Sequence, residues 1–275
     1  MPYVKKRERY TLYIVSCAAG ILIGLVGYLV SAVNLRLADY IIVMAIMITL
    51  FPIATLEYFE FRWKKAIEVR MPDILYDIAE GQLTGMSFIR ALQTTATRDY
   101  GVASRELRRV LAQVRLGMSL EEAFQAFAKR VDSDIVKKVS VVIYETNRFG
   151  GDVSRIIRSL ADYIKSIILL NEERRTTMRM YIGVTYIAFG VLLFTIMILL
   201  NQFFMPIIQL SGTIIFTAQA SYEEYRRVFF YMTIIQAITS GLVAGKMGEG
   251  TMSAGLKHIV IMLFLTLLMF TIVII

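Results

Sequence analysis

Arg105, Arg108, Arg109 and Arg115 stand at spacings of three, four and seven, so a helix carries all four toward one side. Lys129, Arg130, Lys137 and Lys138 gather around the next turn of the chain. The chemistry open to such groups is electrostatic recognition rather than bond-making. A fixed positive surface raises association rate and selectivity toward an acidic protein partner. For any one of these side chains a solvated face, partly drawn to anionic lipid headgroups, is the plainer reading. Nucleic acid fits less well, because no aromatic residues interleave with the basic ones as a single-strand groove requires.

Catalysis has little to work with. No phosphate-binding glycine loop carries a Lys-Ser/Thr pair, and no Ser sits in a nucleophile elbow. One His (His258) and one Cys (Cys17) leave no material for a disulfide framework or a multi-ligand zinc site. Ile14-Val15-Ser16-Cys17 fits the last positions of a lipoprotein cleavage site, but the preceding apolar run is short and the following one long, so Cys17 reads as an intramembrane thiol. The chain is read as a non-enzyme with no cofactor and no bound metal. A transporter or channel with a regulatory cytoplasmic helical domain is the alternative class. It is weakened because the five apolar runs hold no Asp, Glu, Lys, Arg or His away from their ends, Gln236 being the clearest polar residue inside one.

The basic residues lie within a mostly polar, helix-patterned stretch from Arg70 to Arg179, flanked by apolar runs of membrane length. A hydrophobic content of 57% and a mean hydropathy of +0.60 are too high for a soluble domain alone. Inside the polar stretch a short pattern returns at roughly 33 residues: Gly85-Met86-Ser87, Gly117-Met118-Ser119 and Gly150-Gly151-Asp152. Each glycine is expected to close a helix in the left-handed conformation, and the Ser or Asp behind it to cap the next one. Ser119 with Glu122 makes a capping box. Three helix pairs joined by short turns predict an antiparallel six-helix bundle. Met71-Pro72-Asp73 is taken as its opening, with Pro in a first turn.

Five spans are expected: about 10–33, 40–58, 180–200, 228–244 and 259–275, with 34–39 a turn and 207–227 an extracytoplasmic loop or short helix. The fold class is thus all-α: a polytopic membrane protein with about five transmembrane helices and a cytoplasmic six-helix bundle. Residues 1–59 form an amino-terminal tail and two spans, 60–179 the bundle, and 180–275 three spans. Ser16, Gly20 and Gly24, and likewise Ala237, Gly241 and Gly245, recur every four residues, where small side chains admit a close neighbour. Lys5 to Arg9, Arg62 to Arg70, Arg174 to Arg179, Lys246 and Lys257 fall on one side, leaving Arg36, Arg226 and Arg227 on the other. The rich side is the cytoplasm, which puts the amino terminus and the bundle inside and the carboxyl terminus outside.

The run Met71-Pro72-Asp73-Ile74-Leu75 through Gly85-Met86-Ser87 and Ala91-Leu92 resembles the type II secretion system F domain, as do Leu116 to Phe124, Arg130, Asp132-Ser133-Asp134, Gly150-Gly151 and Leu160-Ala161. The resemblance covers about residues 70–205. It implies the inner-membrane platform of type II secretion, type IV pili, Tad pili or archaeal flagella. Such a platform binds a hexameric cytoplasmic secretion ATPase and handles pilin-like subunits, with no catalytic residue of its own. On this resemblance the face of Arg105, Arg108, Arg109, Arg115, Lys129, Arg130, Lys137 and Lys138 becomes the candidate ATPase contact. One domain copy with five spans looks more like the Tad or archaeal branch and implies pairing with itself or with a second single-domain platform protein.

Overall fold

In the computed structural model, which describes residues 6–149, 153–204, 206 and 222–272, the chain is a succession of helices with no strand among the described residues. They are α1 (Lys6–Ser31), α2 (Leu35–Leu83), α3 (Phe88–Thr97), α4 (Val102–Arg115), α5 (Leu120–Val131), α6 (Asp134–Phe149), α7 (Val153–Ile198), α8 (Tyr222–Glu249) and α9 (Gly255–Ile272). A π-helical turn, Leu199–Phe204, follows α7. The chain divides into two compact units, Phe59–Arg174 and Lys6–Tyr58 with Arg175–Ile275.

The first unit is built from six helical segments: the end of α2, all of α3 to α6, and the start of α7. Each short helix buries one stripe. In α3 that stripe is Phe88, Ala91, Leu92, Thr95 and Ala96, and in α5 it is Ala123, Phe124, Phe127, Ala128 and Val131, the spacing of a single helical face. Phe124 makes edge contacts with Phe88 and Phe127 at ring centroid distances of 6.3 Å, tying α3 to α5. The turns follow the repeat. Gly85 has φ +85° and Gly117 φ +93°, and the N–H of Met118 reaches Gln113 O at 3.1 Å, closing α4 with a wide turn. Ser87 accepts from Arg90 N, and Ser119 and Glu122 cap each other reciprocally. Gly150 and Gly151 lie outside the described residues.

Two expectations fail here. Pro72 does not open a helix; it sits well inside α2, a 49-residue helix that begins at Leu35. An interior Pro costs about 3 kcal/mol. Its neighbours Ile67, Met71, Ile74, Leu75 and Ile78 are all buried, and each such side chain contributes roughly 1.5–3 kcal/mol, so packing outweighs the lost bond. The turn expected at 34–39 is shorter: α2 starts at Leu35, capped by Asn34 Oδ1 accepting from Arg36 N and Leu37 N.

Among the described residues five helices are long and apolar enough to cross a bilayer, and the second unit holds all or part of each. A Cβ at Gly20 would overlap the Thr49 side chain of α2, whereas Gly24 has nothing within 4 Å. Gly241 brings α8 against α9, where a Cβ would stand 2.7 Å from Ile259 N, and at Gly245 it would overlap the backbone of Gly255. The small-residue stripe of α8 therefore meets the backbone of α9 at Gly255 and both the backbone and the side chain of Ile259. Residues 222–227, expected in a loop or short helix ahead of the span, form the first turns of α8 itself, while 207–221 lie outside the described residues.

Because Gly117 needs a positive φ, Gly117→Val should destabilise the full chain by more than about 1 kcal/mol. Ser119→Ala, which removes half a capping box, should cost about 1 kcal/mol. Thermal unfolding in detergent checks both, and an unchanged melting temperature for Gly117→Val would contradict the left-handed cap.

Candidate functional site

The buried stripe of α4 (Ala103, Leu107, Val110 and Leu111) turns Arg105, Arg108 and Arg115 outward, leaving Arg109 half-buried. At about 100° per residue the four arginines span an arc of about 120°. The structure then separates the predicted cations. Arg109 Nη1 donates to Glu106 at 3.2 Å, and Arg130 reaches across from α5 to the same carboxylate with Nε at 2.9 Å and to Gln113 Oε1 at 3.4 Å. Lys137 Nζ is 2.9 Å from Asp132 and 3.6 Å from Asp134. Arg105, Arg108 and Arg115 stay exposed on α4, with Lys129 and Lys138 exposed on α5 and α6. Of the eight predicted cations, these five stand exposed outside the carboxylate pairs described above.

Glu106, 1% exposed, was missing from the sequence reading although it sits in the apolar stripe of α4, where a carboxylate demands a partner. Burial opposes its ionisation, but the hydrogen bond from Arg130 leads the effects that outweigh it and hold its carboxyl below the ordinary range. Two more carboxylates, both on α2, hold the connections that lack the Gly-Met-Ser pattern. Glu68 accepts from Ser133 Oγ at 2.5 Å, beside Asp132 in the left-handed conformation at φ 50°. Asp77 accepts from Arg98 at 2.5 Å and from the Tyr100 phenol, whose pKa burial and Asp77 push up.

In the apolar unit a second charged group lies where α2 and α8 begin. Asp39 is 2% exposed and accepts from Arg227 at 3.1 and 3.3 Å and from the Tyr231 phenol at 2.8 Å. Arg226, 1% exposed, donates to Glu223 at 3.2 Å, and Arg36 pairs with the same Glu223. Sequence reading had left Arg36 and Asp39 in a turn and Glu223, Arg226 and Arg227 in a loop or short helix, all outside the spans. Their helical phase was visible only once α2 and α8 were known to start several residues earlier. Among the described residues no three of His, Cys, Asp and Glu stand close enough to share a metal ion.

The paired state of Glu106 has a pH signature. Its folded pKa is depressed, so its contribution is fully present above the unfolded value near 4.5 and is lost as pH falls through the lower folded value. Glu106→Gln should destabilise the full chain by about 2 kcal/mol at pH 7, by leaving Arg130 and Arg109 without their carboxylate, and should flatten the acid limb of a melting-temperature profile below the unfolded value near 4.5. A variant whose acid limb matches the wild type would contradict the assignment.

Residues 77–200 match the family described as Type II secretion system (T2SS), protein F. The uncharacterized protein MJ1286 of Methanocaldococcus jannaschii is 25% identical over 230 residues, which cover 83% of this chain and 38% of that protein. The chain thus spans well under half the length of that relative. No solved structure matches it. The matched residues begin late in α2, take in the whole set of short helices and end in the π-helical turn after α7, so they contain both Gly-Met-Ser turns, the Glu106 pair and the α4 arginines. Residues 77–200 are thus a domain similar to protein F of the type II secretion system.

Proposed function

We propose that this chain is the inner-membrane platform of a type IV filament or type II secretion-like assembly machine, coupling a hexameric cytoplasmic secretion ATPase to the extraction and polymerisation of pilin-like subunits. The observation that carries this reading is the protein F domain at residues 77–200, in a chain with five helices long and apolar enough to cross a bilayer. The bundle receives the ATPase through Arg105, Arg108 and Arg115, which project from one helix with no role in the buried Glu106 pair. The chain acts beside a second copy or a second single-domain platform protein. In support, the relative from Methanocaldococcus jannaschii is more than twice as long as the matched stretch, which leaves room for a further unit in one chain.

The bundle faces the cytoplasm in this reading. Arg36, Arg226 and Arg227, the arginines at one end of the apolar unit, are each held by Asp39 or Glu223. The Lys and Arg excess sits at the other end, as cytoplasmic loops do. A cysteine at position 115, in a chain with Cys17→Ser, should resist a membrane-impermeant maleimide added outside intact cells. Labelling there would overturn the orientation.

Changing Arg105, Arg108 and Arg115 together to Glu should reduce recovery of the purified secretion ATPase by the full chain in detergent at least tenfold, with the melting temperature kept. Arg109 is left alone because its reversal would set a carboxylate against buried Glu106. Wild-type binding should itself weaken as salt rises, since exposed charges are screened over about 8 Å at physiological ionic strength. Wild-type recovery by the triple variant would remove this face from the ATPase contact. Failure of the unaltered chain to bind any secretion ATPase would remove the coupling role.

A further inference from the structure

Between α2 and α9 of the apolar unit lies a cavity of about 430 Å³, with Phe51, Thr55 and Tyr58 on one wall and Lys257, Val260 and Ile261 on the other. Phe51, Tyr58 and Ile261 are exposed, so the groove opens outward to the surroundings of the spans. Its aliphatic hydroxyl, Thr55 Oγ1, already donates to Pro52 O at 2.9 Å, so apart from the Tyr58 phenol and the Lys257 ammonium the walls offer apolar contact.

The rim is different. Lys257, two residues into α9, holds its ammonium 5.3 Å over the ring of Tyr58 and donates to Glu249. The same Glu249 carboxylate receives Arg175 at 3.5 Å, and Lys246 stands exposed one turn earlier on α8. An ammonium has three N–H groups, so Lys257 keeps donors beyond the one it gives Glu249, and Lys246 is a second cation on the preceding helix. An apolar channel ending at a cationic rim matches a molecule with a hydrocarbon chain and an anionic head. The volume lies within the range of ligand pockets, and basic pockets between membrane helices suit acidic headgroups.

We propose that this groove is a binding site for an anionic membrane lipid, its hydrocarbon chain lying along Phe51, Val260 and Ile261 and its phosphate meeting Lys257. The site is independent of the platform reading and of the orientation of the chain. The lipid seals the seam between α2 and α9 at the end where Lys257, Glu249 and Arg175 meet.

The full chain, stripped of lipid in detergent, is offered equimolar phosphatidylglycerol and phosphatidylcholine and read by native mass spectrometry. Wild type should retain phosphatidylglycerol with about a fivefold preference, the worth of one basic residue at a lipid surface. Lys257→Gln should bind lipid with the preference gone. Val260→Trp, which fills the groove, should retain neither. Equal retention of the two lipids by wild type, or an undiminished preference in Lys257→Gln, overturns the proposal. Should Val260→Trp not fold, Phe51→Trp reads the same groove by fluorescence in nanodiscs. Stronger quenching by tail-brominated phosphatidylglycerol than by tail-brominated phosphatidylcholine supports the site, and equal quenching means bulk lipid and overturns it.

Discussion

Helices of 10, 14 and 12 residues, the lengths of α3, α4 and α5, are near or below the length at which a helix holds itself together in water. The bundle therefore depends on what its short helices bury and on how their ends are satisfied. Each commits one stripe to a shared core that also takes Ile67, Leu75 and Ile78 of α2 and Ile157, Ala161 and Ile164 of α7. At one set of turns, Gly85 and Gly117 supply the left-handed backbone and Ser87 and Ser119 the caps. At the other set, Asp77 and Glu68 of α2 reach out to Arg98, Tyr100 and Ser133. One helix thereby anchors connections that are far from it in sequence.

That division explains what was legible. A Gly-Met-Ser turn is local chemistry: the residue that permits the φ and the residue that caps the helix lie within three positions, so its repetition can be read directly. The bundle of six segments followed from it, and the five apolar runs from their own length and hydropathy. The carboxylate-held turns were invisible because their two halves are 65 residues apart for Glu68 and Ser133 and 23 for Asp77 and Tyr100. Pro72 misled because local propensity argues for a helix start, while the burial of Met71 and Leu75 on either side keeps the helix going. The early starts of α2 and α8 were missed for the opposite reason. Arg36, Asp39, Glu223, Arg226 and Arg227 look like loop residues singly, and only their mutual pairing lets them sit in helices.

In the candidate site, the positions were legible and the roles were not. Spacing alone placed the α4 arginines on one face. It could not show that Arg109 and Arg130 answer Glu106, since that pair is formed across two helices. The signal was nonetheless present, in a carboxylate standing in line with Ala103, Leu107 and Val110. An acidic residue in an apolar stripe implies a cation on the facing helix, and α5 offers Arg130 there.

The net charge of +8 is consequently not spread evenly in effect. Where α2 and α8 begin, three arginines meet two carboxylates at close range, with Asp39 and Arg226 almost wholly buried. Around the bundle, Arg109, Arg130 and Lys137 are likewise answered by carboxylates, which removes them from the field that an approaching molecule meets. What remains to act at a distance includes the exposed Arg105, Arg108 and Arg115 on α4, Lys129 on α5, Lys138 on α6 and Lys246 on α8. Potentials from such residual groups steer and select partners more than they bind them tightly. The same arithmetic of cations against carboxylates that fixes the helices in place thus determines which few residues are left for recognition.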